Sequence, residues 1–281
     1  WNPNIILFSG KSDHQNYLLE ICKTVSGRTG IVTNFKLILD KKNSKPPLKK
    51  IDQVVRDEMF QDLGIFARQI KVDNIYKGIT NIASTFGFSG VEPNTIMMGW
   101  PKGLENSEEY SKMTQTLLHL DYNLLYLDFD KKAKFGNYKT VDLWWRETDS
   151  KNAEMMLNIA RFIIASPLWQ NTRIRVLFVN NNNVNNKIVY TKIDNLVKDL
   201  RVIIEIKIID NAIEQVAFYD LIKQFSGATD LTLIGIPNYK IEQQAEFIVK
   251  TNHLFEAIGS TLLVKAANNF NVLDLNFTKD K

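Results

Sequence analysis

Residues 4–8 (NIILF) and residues 140–144 (TVDLW) are short apolar segments that occupy corresponding places in two halves of the chain, 136 residues apart. Sliding the sequence by the same offset lays residues 125–128 on residues 261–264. Between them, three short motifs recur in the same order: Asp-Asn at 73–74 and 210–211, Phe-Ser-Gly at 88–90 and 225–227, and Gly-x-Pro at 99–101 and 235–237. A repeat of this length is a folding unit rather than a solenoid module, so the sequence predicts two copies of one domain-sized element.

Runs of β-branched and aliphatic residues alternate with helix-length segments along both halves. The pattern predicts strands at 4–9, 30–39, 68–73, 94–99 and 122–128, and again at 140–145, 172–179, 202–209, 230–236 and 260–265. Several of these runs are apolar throughout, as is typical of strands covered on both faces. The predicted fold class is therefore α/β, with two tandem five-stranded parallel-sheet units and helices on both faces. The expected division is a first unit at 1–129, a linker at 130–139 and a second unit at 140–281.

The composition is that of an ordinary globular protein. Hydrophobic residues make up 44% of the 281 residues and charged residues 23%, and no apolar run approaches the roughly 18 residues that a membrane span requires. The net charge of +4 is too small to indicate a nucleic-acid partner. Cys22 is the only cysteine, which excludes internal disulfides and fits a reducing compartment.

No pattern of catalytic or metal-binding residues emerges. Cys22 lies on the apolar stripe of a predicted helix, where a cysteine is usually inert. The three histidines are scattered over both halves without metal or triad spacing. Asp128 and Asp130 end a predicted strand and could gather a cation, but one pair of carboxylates in a Lys-rich neighbourhood is more often a solvated strand end. We therefore expect no enzyme activity, no cofactor and no bound metal.

Nucleotide binding is the alternative that the sequence leaves open. Residues 10–12 (GKS) follow a strand, but the first glycine of a phosphate-binding loop would fall at Ile5, inside that strand. A five-stranded unit of this size also resembles the universal stress protein fold, some members of which bind ATP through glycine-rich loops. The corresponding residues here, 99–103 and 235–238, have neither that spacing nor all its backbone donors, because Pro101 and Pro237 lack an N–H.

Five ordered segments carry a resemblance to a known family. They are 93–101 (PNTIMMGWP), 140–145 (TVDLWW), 169–179 (WQNTRIRVLFV), 228–237 (ATDLTLIGIP) and 260–266 (STLLVKA). In this order they resemble the cytoplasmic C-terminal domain of cation–chloride cotransporters, a tandem of stress-protein-like units. The signature positions are Asp142, Trp144, Trp145, Gly99, Pro101, Gly235 and Pro237. The tandem tryptophans are also expected to pack in the core, one ring on each face of the sheet.

The resemblance implies a regulatory and dimerisation domain on the cytoplasmic side of the cell membrane, within a transporter that moves chloride with sodium and/or potassium. Its implied partners are a second copy of itself and the transmembrane domain of the same polypeptide, and it implies no ion site in this chain. Animal members carry a long hydrophilic insertion after the third strand of the second half, whereas here a helix is predicted to begin near Ala212, which favours a prokaryotic homologue. The competing hypothesis is a free-standing tandem universal-stress-type nucleotide-binding protein.

Two groups of side chains are predicted to meet partners. Basic loops at 41–50 and 131–139 are expected either to remain solvated or to approach anionic lipid headgroups. Their lysines are Lys41, Lys42, Lys45, Lys49, Lys50, Lys131, Lys132 and Lys134. Trp100, Trp169 and Phe270 fall at predicted element ends, where aromatic side chains often anchor a partner, so they are expected to support self-association.

Overall fold

The computed structural model describes residues 1–10, 15–39, 53–54, 63–87, 90–103, 106–146, 150–199 and 203–270. The chain forms two compact units. The first comprises Trp1–Leu127 with Lys240–Ala245, and the second comprises Asp128–Tyr239 with the residues from Glu246 onward. Among the described helices, none combines the length and the hydropathy of a membrane span.

The first unit has a central parallel sheet. Its strands are β1 (Ile5–Phe8), β2 (Val32–Leu39), β3 (Gln53–Val54), β4 (Phe66–Val72), β5 (Thr95–Gly99) and β6 (Asn123–Asp128). They lie in the order β3-β4-β2-β1-β5-β6, and all pairs are parallel except the short antiparallel pair of β3 with β4. Its described helices are α1 (Gln15–Ser26), α2 (Ile75–Thr85) and α3 (Ser107–His119). The two-residue strand β3 is the one described strand that the sequence pattern did not predict.

The second unit repeats this arrangement. Its strands are β7 (Thr140–Arg146), β8 (Arg173–Asn180), β9 (Ile204–Asp210), β10 (Leu231–Gly235) and β11 (Thr261–Lys265), in the order β11-β10-β7-β8-β9 and parallel throughout. Its described helices are α4 (Ser150–Ala165), α5 (Asn186–Asp199), α6 (Phe218–Ser226) and α7 (Gln244–Phe255). In each unit the five strands therefore have the order third-second-first-fourth-fifth, and the predicted α/β fold class is confirmed.

The strand register supports the duplication as well. Phe8 of β1 pairs with Met98 of β5, and Trp144 of β7 pairs with Ile234 of β10. Both residues of the second pair stand 136 positions after those of the first, so the offset read from the sequence is also a structural correspondence.

The asparagine of the recurring Asp-Asn motif makes different hydrogen bonds in the two units. Asn74 caps α2 directly, because its side chain accepts a hydrogen bond of 3.0 Å from the backbone N–H of Lys77. Asn211 instead closes a loop: its side chain accepts from the N–H of Val216 at 2.8 Å and donates to the Val216 carbonyl at 3.0 Å. The helix therefore begins at Phe218, and the prediction of a start near Ala212 is wrong. The first Phe-Ser-Gly copy lies partly outside the described residues.

Residues 130–139, for which the sequence predicted a linker, pack against the second unit. The Asp130 carboxylate accepts hydrogen bonds from the N–H groups of Lys132 and Ala133, which forms a turn. Phe135 is buried behind this turn. At the end of the segment, the Asp230 carboxylate accepts from the N–H groups of Lys139 and Thr140 at 2.7 and 3.0 Å. The segment is thus fastened at both ends by carboxylates.

Candidate functional site

A buried polar network surrounds Asp142 on the central strand β7. Asp142 is fully buried, and its carboxylate accepts two hydrogen bonds from the Arg175 guanidinium of β8, at 2.7 and 2.6 Å. The hydroxyl groups of Ser226 and Thr229 each donate to Oδ2 of the same carboxylate at 2.6 Å. The hydrogen bond to Asp142 raises the pKa of the Arg175 guanidinium, so the guanidinium stays charged. With both oxygens occupied, Asp142 has a structural role.

Trp144 extends this network toward α6. Its indole N–H donates to Ser226 Oγ at 2.9 Å, and its ring packs edge-on against Phe218 with centroids 5.6 Å apart. Trp145 points to the opposite face of the sheet, where its ring meets Phe178. Both tryptophans are 1% exposed, which confirms the expectation that the pair packs in the core with one ring on each face.

The carboxyl edge of the second unit is filled by its own side chains. The Arg146 guanidinium donates to the Gly235 carbonyl at 2.8 Å and lies 4.8 Å from the ring centroid of Phe218. Asn152 donates to the Ile236 carbonyl and accepts from the N–H of Ala266. In open α/β sheets, ligands bind in the crevice at this edge, between the first and fourth strands. In this unit, the Arg146 side chain reaches from the end of β7 to the end of β10, across the position of that crevice.

The first unit has a cavity at the corresponding edge. Its volume is about 320 Å³, and its walls come from the ends of β1, β2 and β5 and from α2 and α3. Gly99 and Pro101 lie in its wall together with Trp100. Two of the signature positions thus line a cavity. At the corresponding place in the second unit, Gly235 accepts the hydrogen bond from Arg146 and Pro237 lies two residues further on. The cavity could not be found from the sequence, because its walls come from five separate segments.

The cysteine, histidine and carboxylate side chains considered from the sequence are not gathered around a metal site in the part of the chain that the structure describes. No group of three or more His, Cys, Asp or Glu side chains among them is arranged to hold a metal ion. Cys22 is buried on α1, and burial raises the pKa of its thiol, so the reactive thiolate is suppressed. His119 of α3 contacts the Gln115 carbonyl, and His253 of α7 lies 3.5 Å from the carboxylate of Glu256, three residues further along the chain. Asp130 belongs to the turn described above.

The aromatic side chains predicted as partner anchors are buried within the chain. Trp100 is 7% exposed and packs edge-on against Tyr110 and Tyr126. Trp169 is 0% exposed and packs against Phe135 and Tyr138 of the 130–139 segment. Phe270 is also buried. The expectation that these three rings are available to a partner is wrong, because all three are buried within the chain.

The lysines predicted to face lipid are placed only in part. Lys131, Lys132 and Lys134 are exposed on the turn that follows β6. Lys41, Lys42, Lys45, Lys49 and Lys50 lie outside the described residues.

Sequence reasoning missed the partners of Asp142. Arg175, Ser226 and Thr229 lie 33, 84 and 87 residues away along the chain. One signal was present, since Arg175 is a charged residue inside the apolar run 174–179 (IRVLFV). A charge in a strand covered on both faces requires a buried partner.

The order third-second-first-fourth-fifth, repeated in two α/β units, defines the class of fold. A crystal structure of the cytoplasmic domain of a prokaryotic cation chloride cotransporter is similar to this chain, with a TM-score of 0.67 and 15% identity. The match covers 94% of this chain and 95% of that one. A universal stress protein from Archaeoglobus fulgidus DSM 4304 is similar with a TM-score of 0.55 and 11% identity, over 95% and 97% of the two chains. The predicted resemblance is thereby confirmed at the level of the fold.

The sequence by itself matches no protein-family model and no curated protein.

Proposed function

We propose that this chain is the cytoplasmic regulatory and dimerisation domain of a membrane transporter that cotransports chloride with sodium and/or potassium. The observation that carries the proposal is the agreement of two independent comparisons. Five sequence segments resemble the cotransporter domain in order, and the fold matches a domain of that description over 94% of the chain. The ion-binding residues would then belong to a membrane domain outside this chain.

The alternative is a free-standing tandem stress-type protein that binds or hydrolyses a nucleotide, and the observation that favours it is the cavity in the first unit. Phosphates are usually held by backbone N–H groups and positive side chains. None of the described residues lining the cavity is positively charged, and Pro101 removes one N–H. The second unit closes the same edge with Arg146. We therefore favour the non-enzymatic role.

Self-association is the first expected consequence of the proposed role. Two copies held beneath paired membrane domains would meet at an effective concentration near millimolar, so a weak interface can be mostly occupied. We expect the isolated domain to be monomeric when dilute and dimeric when concentrated, with two-fold symmetry. Sedimentation equilibrium over a wide concentration range measures this. A purely monomeric species at roughly several hundred micromolar would contradict the assembly role.

Contact with lipid is a second consequence, limited to the lysines whose positions are described. Each lysine close to an anionic surface contributes about 1 kcal/mol. Substituting Lys131, Lys132 and Lys134 by glutamine should therefore weaken co-sedimentation with phosphatidylserine vesicles markedly. The matched control removes three charges from helices of the same unit, with glutamine at Lys187, Lys223 and Lys250, and should bind as the wild type does. Equal vesicle binding by both triple variants would exclude a lipid-facing role for this turn.

A further inference from the structure

We infer that the first unit binds a small, uncharged, mostly apolar molecule in the cavity at the carboxyl edge of β1 and β5. This inference goes beyond the transporter assignment and does not depend on it. A cavity of about 320 Å³ falls at the small end of the range of about 300–1,000 Å³ seen for ligand sites. It also lies at the place where the strand order reverses, which is where ligands bind in open α/β sheets.

Because the two units are similar, the carboxyl edge of the second unit can be compared with that of the first. By the confirmed 136-residue offset, Arg146 of the second unit corresponds to Gly10 of the first, and Gly235 corresponds to Gly99. In the second unit the Arg146 side chain reaches the Gly235 carbonyl. Gly10 has no side chain, and a Cβ added at Gly10 or at Gly99 would meet no described atom within 4 Å. The first unit thus lacks the side chain with which the second unit fills its crevice.

The walls of the cavity indicate a flat apolar ligand. Aromatic residues from five segments line it: Phe8 of β1, Phe35 of β2, Tyr76 of α2, Trp100 after β5 and Tyr110 of α3. Met98 and Met113 add polarizable side chains that adapt to irregular shapes. A ring compound packed among these groups gains offset or edge-on contacts.

One hydroxyl group in the wall has no partner. Ser9 is 2% exposed, and its Oγ makes no hydrogen bond within the described residues. A buried hydroxyl without a partner costs free energy, which a ligand with one donor or acceptor group would recover. A water molecule is a poorer occupant, because it requires two to four polar partners and these walls are mainly apolar.

The charge of the described lining favours a ligand without phosphate groups. None of the described lining residues carries a positive charge. The Glu109 carboxylate accepts a hydrogen bond from the Asn74 side chain and contributes, after burial as the larger cause, to raising the pKa of the lining residue Tyr76. A triphosphate would be repelled by this carboxylate. The ligand class is therefore neutral, with a ring and a single polar group.

The test uses the full chain with 2-naphthol as the probe and saturation-transfer NMR as the readout. Gly10→Arg places a guanidinium where the second unit carries Arg146 and should abolish binding. Ser9→Ala removes the hydroxyl and should weaken binding about tenfold, the equivalent of one hydrogen bond. Gly103→Ala, at a site with open space and outside the cavity wall, should bind as the wild type does. Melting curves for each variant establish that it is folded.

Two results would overturn the inference. Equal saturation transfer to the wild type, Gly10→Arg and Ser9→Ala would show that the probe binds elsewhere on the surface. Displacement of 2-naphthol by ATP at stoichiometric concentration would show a phosphate-bearing ligand, which contradicts the neutral class. Because no transporter property is measured, failure here leaves the proposed function to be decided by its own experiments.

Discussion

Arg175→Met is expected to lower the free energy of unfolding by about 3–5 kcal/mol, the usual effect of removing one partner of a buried ion pair. The substitution leaves the Asp142 carboxylate fully buried, and among the described side chains only the hydroxyls of Ser226 and Thr229 still donate to it. The cost of burying a charge is then no longer balanced by the guanidinium. Urea unfolding followed by tryptophan fluorescence measures the change, because Trp144, Trp145 and Trp169 all lie in this unit.

The neighbouring residue Arg173 provides the matched control. It is also an arginine on β8, it projects from the same face of the strand, and it pairs with a carboxylate, that of Glu205. This pair is exposed, so Arg173→Met should cost about 1 kcal/mol or less. Equal losses in the two variants would show that the burial of Asp142 is not what makes its ion pair important.

Trp169→Ala is expected to have an effect of similar size, about 3–5 kcal/mol, through the loss of a buried ring. The indole is fully buried between Phe135 and Tyr138, with centroids 6.0 and 4.9 Å away. Its nitrogen has no hydrogen-bond partner among the described residues, so the loss is one of packing. The cavity left behind should also loosen residues 130–139, which hydrogen exchange at the Lys134 and Tyr138 amides would detect.

Leu168→Ala is the control for this substitution. Leu168 is the adjacent residue, and it is 53% exposed. Truncation of an exposed side chain is expected to change stability by no more than about 0.5 kcal/mol. If Leu168→Ala and Trp169→Ala were equally destabilising, the packing of the 130–139 segment on the second unit would be contradicted.

The architecture was predictable because it depends on local patterns. Apolar runs of strand length alternate with helix-length segments, and each of the ten predicted strands is present in the structure. Both units have the same strand order, as expected from the repeat that relates residues 4–8 to residues 140–144. The strand β3 was missed because two residues carry no periodicity, and the start of α6 was misplaced because the Asn211 side chain closes a loop before it.

The site was less predictable because it depends on distant contacts. Asp142 was identified through a motif, but the side chains that hold it come from β8 and from the region where α6 ends. Similarly, the sequence places Trp169 at the end of a predicted element. Its burial depends on the contact with Phe135, which is 34 residues away in the sequence. The cavity in the first unit depends on the absence of a side chain at Gly10. The importance of this glycine becomes apparent only when it is compared with Arg146, the corresponding residue of the second unit.

Immunoblotting of fractionated cells tests the proposal that this domain belongs to an integral membrane transporter. An antibody raised against the 281-residue domain would be applied to membranes washed with alkaline carbonate and to the supernatant. We expect a band in the washed membranes, from a polypeptide much longer than 281 residues. A protein of about the size of the domain alone, recovered in the supernatant and absent from the membranes, would rule out the transporter assignment and favour the free-standing stress-type protein.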